Sequence, residues 1–254
     1  MRLVRFLYDG LAQYGIVEGD SVCEIKGNVY EKYSATQRHH SLGEIKILPP
    51  CDPSKIVAIG LNYRDHAEEV EKKLPEEPML FLKPGTSVIG HGDSIVYPAS
   101  SHRVDYEAEL ALIINKETKN ISEDEALDAI LGYTCFNDVT ARDIQSRPGQ
   151  FTRSKVFDTF ASMGPFIVTD IDPGNMDVKS VLNGELKQSS NTKHLIFNIP
   201  YLVSFISQVM TLLPGDVIAT GTPSGIGPMN IGDTIEVVIE GVGTLRNHVV
   251  PVKS

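Results

Sequence analysis

Glu107 and Glu109 stand one residue apart in Asp105-Tyr106-Glu107-Ala108-Glu109-Leu110-Ala111-Leu112-Ile113-Ile114, a segment whose second half is apolar and rich in isoleucine and leucine. Such a run reads as a buried strand, and residues i and i+2 of a strand project to one face. Two carboxylates held that close in a buried place repel each other and lose hydration unless a cation neutralises them. An all-oxygen donor set suits a hard divalent ion, Mg²⁺ or Mn²⁺. The competing explanation is a solvated strand face. Octahedral Mg²⁺ asks for at least one more anionic oxygen. Asp138 follows the run Tyr133-Thr134-Cys135-Phe136-Asn137 at a strand end and is the candidate on position, against a turn-capping role.

His66 and Glu69 are three residues apart in a polar, helix-like segment. They share a helical face, so the carboxylate can orient the imidazole as a general base; a surface pair is the alternative. Lys155 lies among apolar neighbours and could hold an oxyanion near a metal, or simply be solvated. Gly221-Thr222-Pro223-Ser224-Gly225-Ile226-Gly227 follows an apolar strand and could offer Thr222 or backbone N–H groups to an anion. It is neither a dinucleotide fingerprint nor a P-loop, and Ser224 is in no nucleophile elbow.

Several elements must position these groups. Strand-like runs at 2–8, 12–17 and 21–26 are separated by turn signals at Asp9-Gly10 and Glu18-Gly19-Asp20. This N-terminal piece, too small for a sizeable core of its own, ends at the stiff Leu48-Pro49-Pro50-Cys51-Asp52-Pro53. The expected division is therefore a small β-rich domain, 1–48, and a catalytic domain, 49–254. The pattern predicts a strand from Lys55 to Gly60, an exposed helix from Arg64 to Lys73, and a strand at 79–82. It also predicts a short helix opened by the Ser122–Glu125 capping box and stopped by Gly132. A helix over 200–212 should carry a buried stripe of Leu202, Phe205, Ile206 and Val209, before strands at 216–220, 234–240 and 244–250. Residues 141–160 show no clear element, and long ordered loops are often functional. Strands outnumber helices without regular alternation, so the expected class is β-rich α+β, not a doubly wound sheet.

The 254 residues, 41% hydrophobic and 22% charged, are ordinary for a globular protein. A net charge of −10 with no basic run argues against nucleic acid as a partner. Three scattered cysteines suggest neither a disulfide framework nor a Cys-x-x-Cys metal site and fit a reducing compartment, here the cytoplasm. Neither a signal peptide nor a membrane span is expected.

Together these segments resemble the fumarylacetoacetate hydrolase family. The resemblance runs in order over about residues 50 to 250: Ile59-Gly60-Leu61-Asn62-Tyr63-Arg64-Asp65-His66, Pro78-Met79-Leu80-Phe81-Leu82-Lys83-Pro84, Val104 to Ala111, Asn137 to Gln145, Phe157-Asp158-Thr159-Phe160, Asn191-Thr192 and Gly215 to Pro223. It implies a mixed β-roll catalytic domain with a small accessory domain, a homodimer, and a divalent metal at the mouth of the roll. It further implies Glu107, Glu109 and Asp138 as ligands, His66 with Glu69 as a lid dyad, Lys155 as the active-site lysine, and Gln145 and Thr222 as substrate contacts. The implied substrates are 2-oxo acids and their enols. Hydrolysis of a carbon–carbon bond in an acylpyruvate, through an enolate that the metal stabilises, ranks first. Isomerisation of a hydroxydienedioate and decarboxylation of an oxaloacetate-type acid follow. The reading from another class is a non-catalytic, metal-stabilised dimer that binds a dicarboxylate. Ser162-Met163, Ser190 and Lys193-His194-Leu195 depart from the family pattern near the substrate loops.

Overall fold

The computed structural model describes residues 1–252. Three sheets, counted among the described residues, carry the molecule: one of twelve strands, one of five and one of three. The fold is β-rich α+β, as the lack of regular strand–helix alternation predicts.

Ala108–Ile114 is buried at every residue. It lies between antiparallel neighbours, Ile130–Asp138 and Val217–Ala219, inside the twelve-stranded sheet. Such a strand needs apolar side chains on both faces, which is why the sequence runs Leu-Ala-Leu-Ile-Ile without alternation. One face packs into the main core with Leu112, Leu202 and Ile206, and the other into a second core with Phe136 and Met163. Ile56–Gly60 joins the same sheet beside Val217–Ala219, and Met79–Lys83 pairs with it at the edge.

The N-terminal strands Arg2–Tyr8, Leu11–Glu18 and Ser21–Gly27 match the expected runs closely, and Tyr33–Ser41 adds a fourth. They continue the large sheet: Arg2 pairs with Val168 and Leu3 with Ile167. The five-stranded sheet runs in the order Glu185–Asn191, Asp177–Leu182, Thr234–Ile239, Gly243–Pro251, Ser94–Tyr97.

Some local expectations are corrected. The Ser122 backbone N–H donates to Glu125 Oε2, which is half of a capping box, but the Ser122 hydroxyl donates to the same oxygen while the Glu125 N–H goes to the Ser122 carbonyl. The segment nevertheless makes only a 3-10 turn, Leu127–Ala129, because Ile130 already enters the strand that pairs with Ala108–Ile114; Gly132 lies inside that strand. The helix after Tyr63 stops at Glu69, four residues short of the expected end. The later helix spans Ile199–Val209, with Asn198 accepting the Tyr201 N–H at its start. It buries Val203, while Val209 is 57% exposed. Residues 141–160 contain two short helices, Arg142–Gln145 and Phe151–Lys155.

Candidate active site

Glu107 does not sit on a continuous strand with Glu109. It occupies a one-residue break between Val104–Tyr106, which belongs to the three-stranded sheet, and Ala108–Ile114. Its backbone N–H donates to the Asn137 side-chain oxygen, and its carbonyl accepts from the Asp138 N–H. A polar side chain thus replaces a ladder bond where the chain changes sheets. Asp138 ends the neighbouring strand, as its position predicted.

The Glu107, Glu109 and Asp138 carboxylates each present an oxygen within 4.8 Å of the others, and all three residues are buried. Their surroundings differ. Glu107 receives Arg142, the Thr140 hydroxyl at 3.0 Å and the Lys155 ammonium at 2.9 Å. Asp138 receives Lys83 and, at 2.5 Å, Lys155. Glu109 receives one donor, the Gly221 N–H at 2.8 Å, and forms no ion pair among the described residues. Burial alone would raise the Glu107 carboxyl, but Lys155 and Arg142 hold it well below the usual carboxylate range. Burial, then the charges of Asp138 and Glu107, drive Glu109 far above that range. Burial works against the Lys155 ammonium too, yet Asp138 and Glu107 keep it protonated. For Lys83 burial wins and its pKa falls despite Asp138.

This donor set fits a hard divalent cation. It is all oxygen, its separations allow one ion to be shared, and Glu109 is a buried carboxylate lacking the cation that would keep it ionised. Glu107, Glu109 and Asp138 would hold the ion.

The three carboxylates face a cavity of about 260 Å³, whose lining also includes His66, Lys155, Arg142, Gln145 and Thr222. All the residues singled out from the sequence line this cavity except Glu69, which stands behind His66. His66 Nδ1 lies 2.9 Å from Glu69 Oε2, and Glu69 Oε1 accepts the Gly225 N–H at 2.9 Å. With an ionised Glu69 the proton sits on Nδ1, which leaves Nε2 as the basic nitrogen. Phe81, Phe151 and Ile226 are among the apolar residues of the lining.

The loops are held closely. Gly221, at φ +99°, lies so near Asn62 that a Cβ there would fall 2.8 Å from the Asn62 Cβ. Asn62 bonds the Phe197 N–H and carbonyl and the Thr220 carbonyl, tying the approach to the His66 helix to the carboxylate side. Thr222 does not extend its hydroxyl freely: it donates to the Ala108 carbonyl and accepts from Gln188. Gln145 accepts from Arg142 at 2.6 Å.

Sequence reasoning assigned no role to Lys83, Arg142 or Gln188. Lys83 left a signal, a single lysine closing an apolar edge strand, and it is wholly buried. Arg142 bridges Asp105, Glu107 and Gln145. Gln188 left none.

The chain belongs to the fumarylacetoacetate hydrolase family. The model described as Fumarylacetoacetate (FAA) hydrolase C-terminal matches residues 55–250, and that described as Rv2993c-like, N-terminal matches residues 1–50. It is 44% identical over 225 residues to the oxaloacetate tautomerase YisK of Bacillus subtilis, covering 83% of this chain and 75% of that one. It superposes with a TM-score of 0.93 on the 2-hydroxyhepta-2,4-diene-1,7-dioate isomerase from Mycobacterium marinum, at 40% identity and over 100% of both chains. A maleylpyruvate hydrolase from Sphingobium sp. SYK-6, solved with manganese(II) and pyruvate, superposes at 0.83 with 32% identity, again over 100% of both. No described helix is long and apolar enough to cross a membrane.

Proposed function

We propose that this protein is a divalent-metal-dependent enzyme of small 2-oxo acids and their enols, and that it hydrolyses a carbon–carbon bond in an acylpyruvate-type substrate. The observation that carries the reading is a buried carboxylate trio and a carboxylate-oriented histidine facing one small cavity. Glu107, Glu109 and Asp138 hold Mg²⁺ or Mn²⁺, which supplies a Lewis acid for the 2-oxo group. His66, oriented by Glu69, takes a proton from water at Nε2 as the water oxygen bonds to the distal carbonyl carbon. The carbon–carbon bond then breaks with its electron pair on the pyruvate methylene, which takes a proton; the products are pyruvate and a free acid. Lys155 and Arg142 bring positive charge to the cavity wall as negative charge develops, and Gln145 and Thr222 contact the substrate. The proposal includes a homodimer in the cytoplasm and a division at residue 48, supported by family models that meet between 50 and 55.

A second reading is keto–enol tautomerisation of an oxaloacetate-type acid, favoured by the 44% identity to the Bacillus subtilis tautomerase. There His66 would take a proton from the methylene carbon as the keto oxygen gains one, or the reverse, with no carbon–carbon bond broken. Turnover of a small acylpyruvate, with Mg²⁺ and then with excess chelator, tests the first reading. Chelator-sensitive loss of enol absorbance with pyruvate and free acid formed supports it. Enol loss from oxaloacetate with no cleavage of the acylpyruvate would replace it with the second.

A further inference from the structure

We propose that Ser190 is a positioning residue for His66, and that the strand Glu185–Asn191 sets this base in register with the carboxylates. The inference rests on the reading of His66 as the base. His66 is carried by a helix of six residues with no side-chain cap at its start. A single turn and a half has little stability of its own, so its placement comes from what it touches.

Contacts at three places hold it. At the start, Tyr63 bridges to Leu195, and the Asn62 carbonyl accepts the Ile196 N–H. At the end, Glu69 accepts from Gly225. Between them, both oxygens of Asp65 are used: Oδ1 accepts the His66 backbone N–H at 2.8 Å, and Oδ2 accepts the Ser190 hydroxyl at 2.7 Å. Asp65 therefore couples the backbone of the base directly to Ser190.

The other contacts of that strand give the coupling its meaning. Gln188 is two residues earlier and so on the same face as Ser190. Its side-chain oxygen accepts the N–H of Ala108, the residue between Glu107 and Glu109, and its amide donates to Thr222. Gly225 lies against Lys187, whose carbonyl would be 2.4 Å from a Cβ built there. Within four residues, one strand thus supports the loop that holds Glu69, the carboxylate segment and the helix of His66. Ser190 is the only one of these supports that reaches the helix by a side chain alone, so it can be removed without disturbing the ladder.

Hydrogen exchange and steady-state kinetics on the metal-loaded enzyme test this. In Ser190→Ala, amides of 64–70 should exchange about tenfold faster, the size expected for losing one hydrogen bond to a charged group. The kcat should fall by about the same factor, with KM and Mn²⁺ affinity unchanged, and Ser190→Thr should restore both readouts. In a His66→Ala background, Ser190→Ala should cost nothing further. Unchanged exchange at 64–70, or a rate loss that persists without His66, would overturn the proposal. If the unaltered enzyme turns over no 2-oxo acid, the functional reading fails, and exchange alone decides the positioning role.

Discussion

Lys155 bridges Glu107 and Asp138, at 2.9 and 2.5 Å, and leaves Glu109 without a cation. The three carboxylates are therefore unequal before any ion arrives. Two are neutralised by the protein's own cations, and the third is held far above the ordinary carboxylate range by burial and by its neighbours' charge.

Metal binding should stabilise the fold. At an ion concentration about a hundredfold above Kd the gain is roughly 2.7 kcal/mol, a rise in melting temperature of about 5–10 °C for a chain of this size. Glu109→Gln should abolish the rise. Calorimetric melts with Mg²⁺, Mn²⁺ and chelator check this, and equal melting temperatures in all three would remove the metal assignment.

Glu107 and Glu109 make opposite contributions to pH dependence. The depressed Glu107 stabilises the fold above the unfolded value near 4.5, and that contribution is lost as pH falls through its lower folded value. The raised Glu109 contributes below 4.5 and loses its contribution as pH rises through its higher folded value. Metal-free Glu109→Gln should therefore gain on the unaltered protein as pH rises above 4.5. Because the ion needs Glu109 ionised, binding should release up to one proton until pH passes that raised value. Titration calorimetry across a pH series, in buffers of different ionisation enthalpy, measures the release; none at any pH above 4.5 would contradict this account of Glu109.

His66→Ala should reduce acylpyruvate hydrolysis about 10²–10⁴-fold, the usual contribution of a positioned base, and oxaloacetate decarboxylation far less. Rate measurements with both substrates decide it. Equal losses would mean that His66 only shapes the cavity.

Asp138→Ala should destabilise the protein by roughly 3–5 kcal/mol, since it strands the buried Lys83 and leaves Lys155 with Glu107 alone. Adding Lys83→Met should recover part of the loss. Urea denaturation of the single and double variants measures it, and a double variant no more stable than the single would show that Lys83 is indifferent to Asp138.

The sequence makes the carboxylate pair legible because two acidic residues interrupt a run that only burial explains. It misleads on how they come together. Glu107 looks like a strand residue, yet Asn137, 30 positions away, takes its N–H and lets the chain leave one sheet for another. The start of the His66 helix at Arg64 is legible, but its end is not, because the polar run to Lys73 continues past Glu69 without packing to support it. Lys83 and Gln188 find partners 55 and 80 residues away, and periodicity carries no information over such separations. The departure at Ser190 was visible; its partner Asp65 was not.

Ala108–Ile114 belongs to the twelve-stranded sheet, whereas the strand beneath the His66 helix is the edge of the five-stranded one. The helix of His66 thus follows Ile56–Gly60 of one sheet and rests on the edge of the other, while the two sheets share a single hydrophobic core. Heating should free this short helix from that edge before the shared core melts, so the rate should decline several degrees below the unfolding transition, as a loss of alignment and not of structure.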